Sequence, residues 1–108
     1  MDAELLVNRV LDDERLTEGL DEEEAQRLVN WLVQEAENIA AECKSQEEGW
    51  KRLDARCRQA RAVSRLVELW CYQRDKDAAA RLASKERLPW PLPNDPCEAL
   101  SRLLDHIQ

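Results

Sequence analysis

The fold depends most on one stretch of the sequence, SQEEGWKRLDARCRQARAVSRLVELWCYQRD, which runs from Ser45 to Asp75. Ser45 followed by Glu48 forms a capping box, a pattern typical of a helix start. Apolar side chains then recur at the three- and four-residue spacing of one helical face. They are Trp50, Leu53, Cys57, Ala60, Val63, Leu66, Val67, Trp70 and Cys71. Because this face widens in its second half, it predicts a long third helix over residues 46–74 that packs centrally between its neighbours.

Two amphipathic helices are predicted before this one, over residues 3–14 and 22–44. Asp21 and Glu24 form a capping box at the start of the second. The 108-residue sequence has only two glycines and no phenylalanine, and Ala, Leu, Glu and Arg predominate. This composition is typical of helices rather than of sheets.

The segment DKDAAARLASKERL can either continue the third helix or begin a short fourth one. We favour a bend near Asp75 to Asp77 and a fourth helix over residues 78–87. Pro89 lacks an amide donor and disfavours helical geometry in the residue before it, so helix should end by Arg87.

A Pro-rich strap is predicted over residues 88–95. Its prolines alternate with Trp90 and Leu92, which favours an extended connection across the end of a bundle. Asp95 as a cap and Pro96 at the first helical position then predict a last helix over residues 96–107. We therefore expect one all-α domain, residues 1–108, built as a bundle of four to five helices.

Charge is distributed unevenly within the net charge of −7. Residues 1–48 contain 15 acids and 4 bases, whereas residues 49–108 contain 8 acids and 12 bases. An acidic half and a mildly basic half can attract each other within one fold, bind a charged partner, or solvate two faces.

The sequence offers no pattern typical of a metal site, a cofactor site or an active site. Cys43, Cys57 and Cys71 recur every 14 residues, which corresponds to about 21 Å along a helix and is too far apart to share one ion. These cysteines are predicted to pack in the core. His106 is the only histidine, and two isolated glycines form no phosphate-binding loop. We expect no enzymatic activity, no cofactor and no metal.

Membrane insertion is not expected, because no apolar run approaches the roughly 18 residues that a span requires. The start MDAELL lacks the basic and small-residue features of a secretory signal. A cytoplasmic location with reduced cysteines is therefore predicted.

A basic ridge is predicted on the third helix, where four cations fall within an arc of about 80° opposite the apolar face. These residues are Lys51, Arg58, Arg61 and Arg65. The ridge could contact the phosphates of RNA or DNA. Alternatively it is a solvated face that pairs with Asp54 and Glu68, which lie at helical distance from Arg58 and Arg65.

A protein interface is predicted around four further residues, Trp31, Arg56, Trp70 and Trp90. Arg56 and Arg74 can pair with Glu35 and Glu42 of the second helix, or can form a self-complementary dimer contact. The sequence also contains more amphipathic helix than a small bundle can cover. We therefore predict a non-enzymatic interaction or assembly module that binds a protein partner or self-associates. The alternative is a helical subunit that contacts nucleic acid within a larger complex.

Overall fold

The computed structural model describes residues 2–107, except for the side chains of Asp13 and Glu14. This part of the chain is all-helical and contains no strand, which confirms the predicted fold class. Its five α-helices are α1 (Ala3–Glu14), α2 (Glu22–Glu42), α3 (Gln46–Val67), α4 (Lys76–Lys85) and α5 (Pro96–His106).

Three helix starts lie where the capping patterns predicted them. In each case the capping side chain accepts a hydrogen bond from the amide three residues further on. The distances are 3.1 Å for Asp21, 3.2 Å for Ser45 and 3.0 Å for Asp95. Each bond satisfies an amide that has no partner within its own helix, which fixes where the helix begins.

The third helix is shorter than predicted. Regular α-helix ends at Val67 rather than at residue 74, and Glu68–Tyr72 form a π-helical turn. The Gln73 amide donates to the Glu68 carbonyl oxygen at 2.9 Å, a bond across five residues rather than four. The local turn is therefore wider, which changes the direction of the side chains that follow it.

The predicted break before α4 is confirmed, but α4 begins two residues earlier than expected. Arg74 adopts a left-handed conformation with φ of 53°, which ends the preceding helical segment. Asp75 then caps α4 by accepting from the Ala78 amide at 3.1 Å. Because Asp75 rather than Asp77 is the cap, the helix begins at Lys76.

Three helix ends also precede the predicted residues. α2 ends at Glu42 rather than at residue 44, because Cys43 must turn extended before Ser45 can cap α3. α4 ends at Lys85 rather than at residue 87, and α5 ends at His106 rather than at residue 107.

Helix α3 is the centre of the bundle. It packs against α1, α2, α4 and α5, and six of its apolar residues are fully buried: Leu53, Cys57, Ala60, Val63, Leu66 and Val67. α1 runs parallel to α3, since Asp2 contacts Gln46 at one end and Ser64 Oγ donates to the Leu16 carbonyl oxygen at the other. α1 and α2 consequently form an antiparallel pair beside α3.

The Pro-rich strap connects α4 to α5 without helix, as predicted, but it bends at residues 90–91 and 94–95 instead of being extended throughout. Leu92 is buried in the core. Trp70 Nε1 donates to the Pro93 carbonyl oxygen at 3.0 Å, and the Trp70 and Trp90 rings meet edge to face at 4.9 Å. The Trp90–Pro91 peptide bond is cis. These contacts attach the strap to the end of the central helix.

Candidate protein-interaction surfaces

The basic ridge lies on the exposed side of α3. Its members are Lys51, Arg58, Arg61 and Arg65, all of them exposed. Arg58 lies 3.6 Å from Asp54, and Arg65 lies 3.0 Å from Glu68. The pairing predicted for these two arginines is therefore confirmed, and it reduces the net positive charge of the ridge.

The structure adds Arg15 to this surface. Arg15, Arg61 and Arg65 line one depression of about 540 Å³ between the end of α1 and α3. Glu18 and Glu68 line it as well, so the same opening contains both acids and bases. Arg15 was missed because it reaches this position by ending α1 in a left-handed conformation, with φ of 50°. No pattern in the sequence identifies that conformation at an arginine.

Arg56 makes its contacts inside the molecule. Its Nε lies 2.7 Å from Glu35 Oε2, and the two side chains are only 25% and 19% exposed. Arg56 Nη2 also donates to the Ile107 carbonyl oxygen at 3.4 Å. The internal pairing with Glu35 is confirmed, and Arg56 joins α2 and α3 to the end of α5.

The second predicted pairing is wrong in its partner. Glu42 pairs with Arg52 at 2.8 Å rather than with Arg74. Arg74 lies in the link between the π-helical turn and α4, too far along the chain to reach the end of α2. The prediction failed because α2 and α3 are antiparallel, so the end of α2 lies beside Arg52 near the start of α3. Arg74 follows Arg52 by 22 residues, which is about 33 Å along a helix.

The four aromatic and basic residues of the predicted interface do not share one surface. Arg56 contacts the C-terminal end of α5, whereas Trp70 contacts the strap before its first residue. The 11 residues of α5 separate these contacts by about 16 Å. Trp31 packs partly buried against the core, and Trp90 is 40% exposed.

An apolar groove runs between α1 and α2 and was not predicted as a site. It encloses about 320 Å³, and five of its eight lining residues are apolar: Ala3, Val7, Leu11, Val29 and Val33. Val33 is 37% exposed. We call this surface the α1–α2 groove. The sequence assigned most of these residues to core-facing stripes, but α3 covers only the inner side of the α1–α2 pair.

The rim of the α1–α2 groove is polar and acidic. Glu4, Asn8 and Glu37 complete the lining, and all three are exposed. Because α1 and α2 are antiparallel, the start of α1 lies beside the second half of α2. Glu4 and Glu37 therefore lie toward the same end of the groove.

The basic residues of α1 and α2 contact other elements. Arg9 lies over the Trp50 ring, 3.8 Å from its centroid, and 3.5 Å from Glu47 of α3. Arg27 donates to Ser101 Oγ of α5 at 3.0 Å. Neither arginine lines the groove, so the electrostatic potential there is set by acids.

A buried carboxylate fixes the start of α2 to the π-helical turn. Glu24 is 1% exposed and accepts a hydrogen bond from the Tyr72 hydroxyl. The same hydroxyl lies 3.2 Å from Asp21 Oδ2. Desolvation of the phenol and its hydrogen bond with Asp21 raise the pKa of Tyr72 to about 12. The contact keeps Tyr72 neutral and Glu24 hydrogen-bonded.

The four cysteines are free thiols. The predicted core packing is confirmed for Cys43 and Cys57, whereas Cys71 is only partly buried against the core; Cys97 is also buried. Burial raises the pKa of Cys57 to about 12 and also raises the pKa of Cys71 and Cys97. Thiols of this kind are poor nucleophiles at neutral pH. Among the side chains that the structure describes, no three His, Cys, Asp or Glu residues are grouped so that they could hold a metal ion.

The helices of residues 2–107 include none with the length and apolar character needed to cross a bilayer. Protein-family models, curated proteins and solved structures were compared with the chain, and none of them matches it. The surfaces described above are therefore the basis for inferring a function.

Proposed function

We propose that the protein is a non-enzymatic interaction module that binds another polypeptide in the α1–α2 groove. The observation that carries this proposal is the uncovered apolar lining between two helices of a folded bundle. Val33 is exposed in this lining, Leu11 and Val29 are partly exposed, and Val7 is buried beside them. Contiguous apolar surface with a polar rim is typical of protein-binding grooves, since binding removes that surface from water.

The groove supports this proposal more directly than the tryptophan and arginine residues do. Arg56 already forms an ion pair with Glu35, and Trp70 already donates a hydrogen bond to the strap. A partner would gain little from side chains that already have internal contacts. The proposal places the module in the cytoplasm, where its four free thiols remain reduced.

Site-specific photo-crosslinking tests the proposal. p-Benzoylphenylalanine in place of Val33 samples the groove, and the same residue in place of the exposed Asp105 on α5 is the matched control. We expect irradiation of cells to yield a discrete adduct with another polypeptide from position 33, absent from position 105. Identical products from both positions, or no adduct from either, would contradict the proposal.

A second candidate function is contact with an RNA or DNA backbone inside a larger complex. The observation that favours it is the addition of Arg15 to Arg61 and Arg65 at one depression beside the ridge. Four phosphate contacts would give a log–log salt slope of about −3 to −4. Fluorescence anisotropy with labelled oligonucleotides measures this slope. Binding unchanged when Arg58, Arg61 and Arg65 are all replaced by Ala would eliminate this function.

A further inference from the structure

We infer that the occupant of the α1–α2 groove is a cationic amphipathic α-helix supplied by a different protein. The inference rests on the proposed function and names the chemistry of the partner. It follows from the length of the groove, from its charge, and from the fact that the basic helices of this chain already pack within its own bundle.

The dimensions of the groove suit two turns of helix. Along α1 the lining extends from Ala3 to Leu11, a rise of about 12 Å. A helix laid in the groove would place apolar side chains at positions i, i+3 or i+4, and i+7 within that length. The walls are themselves helices, and a third helix can pack its side chains between theirs at the usual interaxial distances of roughly 8–10 Å.

An extended peptide suits the groove less well than a helix does. Extended segments commonly bind by hydrogen-bonding to the edge of a sheet, and residues 2–107 contain no strand. The backbones of α1 and α2 are paired within their own helices along the groove. A helical ligand brings its own backbone pairing and needs only apolar contact.

The negative charge of the rim favours a ligand that has basic residues beside its apolar stripe. Glu4 and Glu37 are exposed and lie toward the same end, while Arg9 and Arg27 contact α3 and α5. Lys or Arg side chains flanking the stripe would meet complementary charge. Acidic side chains in those positions would be repelled.

A second copy of this chain does not satisfy the same requirements. Two copies with their grooves parallel would bring Glu4 and Glu37 of each against the same residues of the other. With the grooves antiparallel, these acids would face the other end of the groove, whose lining contains no base to pair with them. The basic amphipathic helices of this chain are α3 and α4, and both already pack within their own molecule. Leu53 and Val63 of α3 are buried in its core, as are Ala79 and Ala83 of α4.

The test uses a fluorescein-labelled Leu/Ala/Lys peptide of about 18 residues, with Leu on one helical face and Lys beside it. One comparison peptide has the same composition in scrambled order, and another has Glu in place of Lys. We expect the first peptide to bind to the intact protein at least about tenfold more tightly than either comparison, measured by anisotropy at low salt. Equal binding of the scrambled peptide, or preference for the acidic peptide, overturns the inference.

Variants of the protein locate the binding. Val33→Asp and the double change Glu4→Lys with Glu37→Lys should each weaken binding about tenfold or more. Asp105→Lys, a charge reversal of an exposed acid outside the groove, should change it by less than about twofold. The double variant should also gain affinity for the acidic peptide. If Asp105→Lys loses as much affinity for the peptide as the groove variants, the binding depends only on the net charge of the protein, and the inference is overturned.

The two proposals fail in distinguishable ways. If no amphipathic peptide binds up to about 0.5 mM while a specific adduct still forms at position 33, the helical cationic ligand is wrong and the interaction module stands. If sedimentation shows a dimer that Val33→Asp dissociates, the occupant is a second copy, which also overturns the inference. If position 33 gives no adduct in cells, the proposed function itself is contradicted.

Discussion

The Arg56 guanidinium lies 2.7 Å from the Glu35 carboxylate across the interface between α2 and α3. Both side chains are less than a third exposed. Arg56 also donates a hydrogen bond to the Ile107 carbonyl oxygen, just after α5. Arg52 and Glu42 form a second pair between the same helices, at 2.8 Å, but their side chains are 47% and 63% exposed. Two similar ion pairs thus differ mainly in their exposure to solvent.

That difference predicts different contributions to stability. Arg56→Ala should lower the free energy of unfolding by about 1–3 kcal/mol, because Glu35 would remain largely buried without its partner. Arg52→Ala should lower the free energy of unfolding much less, as is usual for exposed pairs. Urea denaturation of both variants measures the two values. Equal losses would show that burial does not separate these pairs.

We expect a substitution of Arg87, at the end of α4, to stabilise the protein. Arg87 has φ of 55°, and the Leu88 amide beyond it donates to the Ala83 carbonyl oxygen at 2.8 Å, a Schellman cap with arginine in the usual glycine position. Arg87→Gly should raise the free energy of unfolding by about 0.5–1 kcal/mol, since relief of left-handed strain exceeds the entropy cost of glycine.

The adjacent residue supplies the control for this change. Glu86 has an ordinary φ of −91°, so Glu86→Gly gains no relief and should lower the free energy of unfolding by about 0.5–1 kcal/mol. Thermal and urea unfolding of the two glycine variants should therefore shift in opposite directions. A loss of stability in Arg87→Gly would mean that the left-handed conformation is wrong.

Tyr72 predicts a pH dependence at high pH. It is the only tyrosine in the sequence, so absorbance at 295 nm reports its ionisation alone. The folded protein should titrate with a midpoint of about 12, against about 10 for the unfolded chain. Since folding raises the pKa, this contact stabilises the fold fully below pH 10, and the stabilisation is lost as pH rises toward 12.

Tyr72→Phe is the matched variant for that titration. It removes the hydroxyl that bonds Glu24 and should cost about 1–3 kcal/mol at neutral pH, because a buried carboxylate loses its donor. The free energy of unfolding of Tyr72→Phe should also fall less between pH 10 and 12 than that of the wild type, because the variant has no phenol to ionise. If Tyr72 in the folded wild-type protein titrates with a midpoint near that of the unfolded chain, its contact with Asp21 and Glu24 is wrong.

The cysteines should differ in reactivity toward iodoacetamide. Cys71 is partly exposed, whereas Cys57 is fully buried and its pKa is raised to about 12. Alkylation followed by peptide mass spectrometry should find Cys71 modified first and Cys57 protected until the protein unfolds. Early modification of Cys57 in folded protein would show that the centre of α3 opens readily.

Features set by short-range chemistry could be predicted from the sequence. The all-α class follows from composition and apolar periodicity, and the starts of α2, α3 and α5 follow from Asp21, Ser45 and Asp95. Even Arg56 with Glu35 could be anticipated, because both lie beside the apolar stripes of neighbouring helices. These predictions need only the geometry of one helix or of one packed pair.

Features set by the whole assembly could not be predicted in this way. The π-helical turn after Val67 depends on how Trp70 and Tyr72 meet the strap and α2, which involves residues distant in sequence. The α1–α2 groove depends on how far Leu11, Val29 and Val33 remain uncovered. An apolar stripe indicates that a face avoids water but does not identify its cover.

The most direct test of the groove as the interaction surface is an amide ¹H–¹⁵N chemical-shift titration of the folded protein with the cationic amphipathic peptide. The account predicts saturable shift changes concentrated at Val7, Leu11, Val29 and Val33, with little change at Trp90. Changes centred on the strap or on the basic ridge of α3, or no saturable change at all, would contradict it.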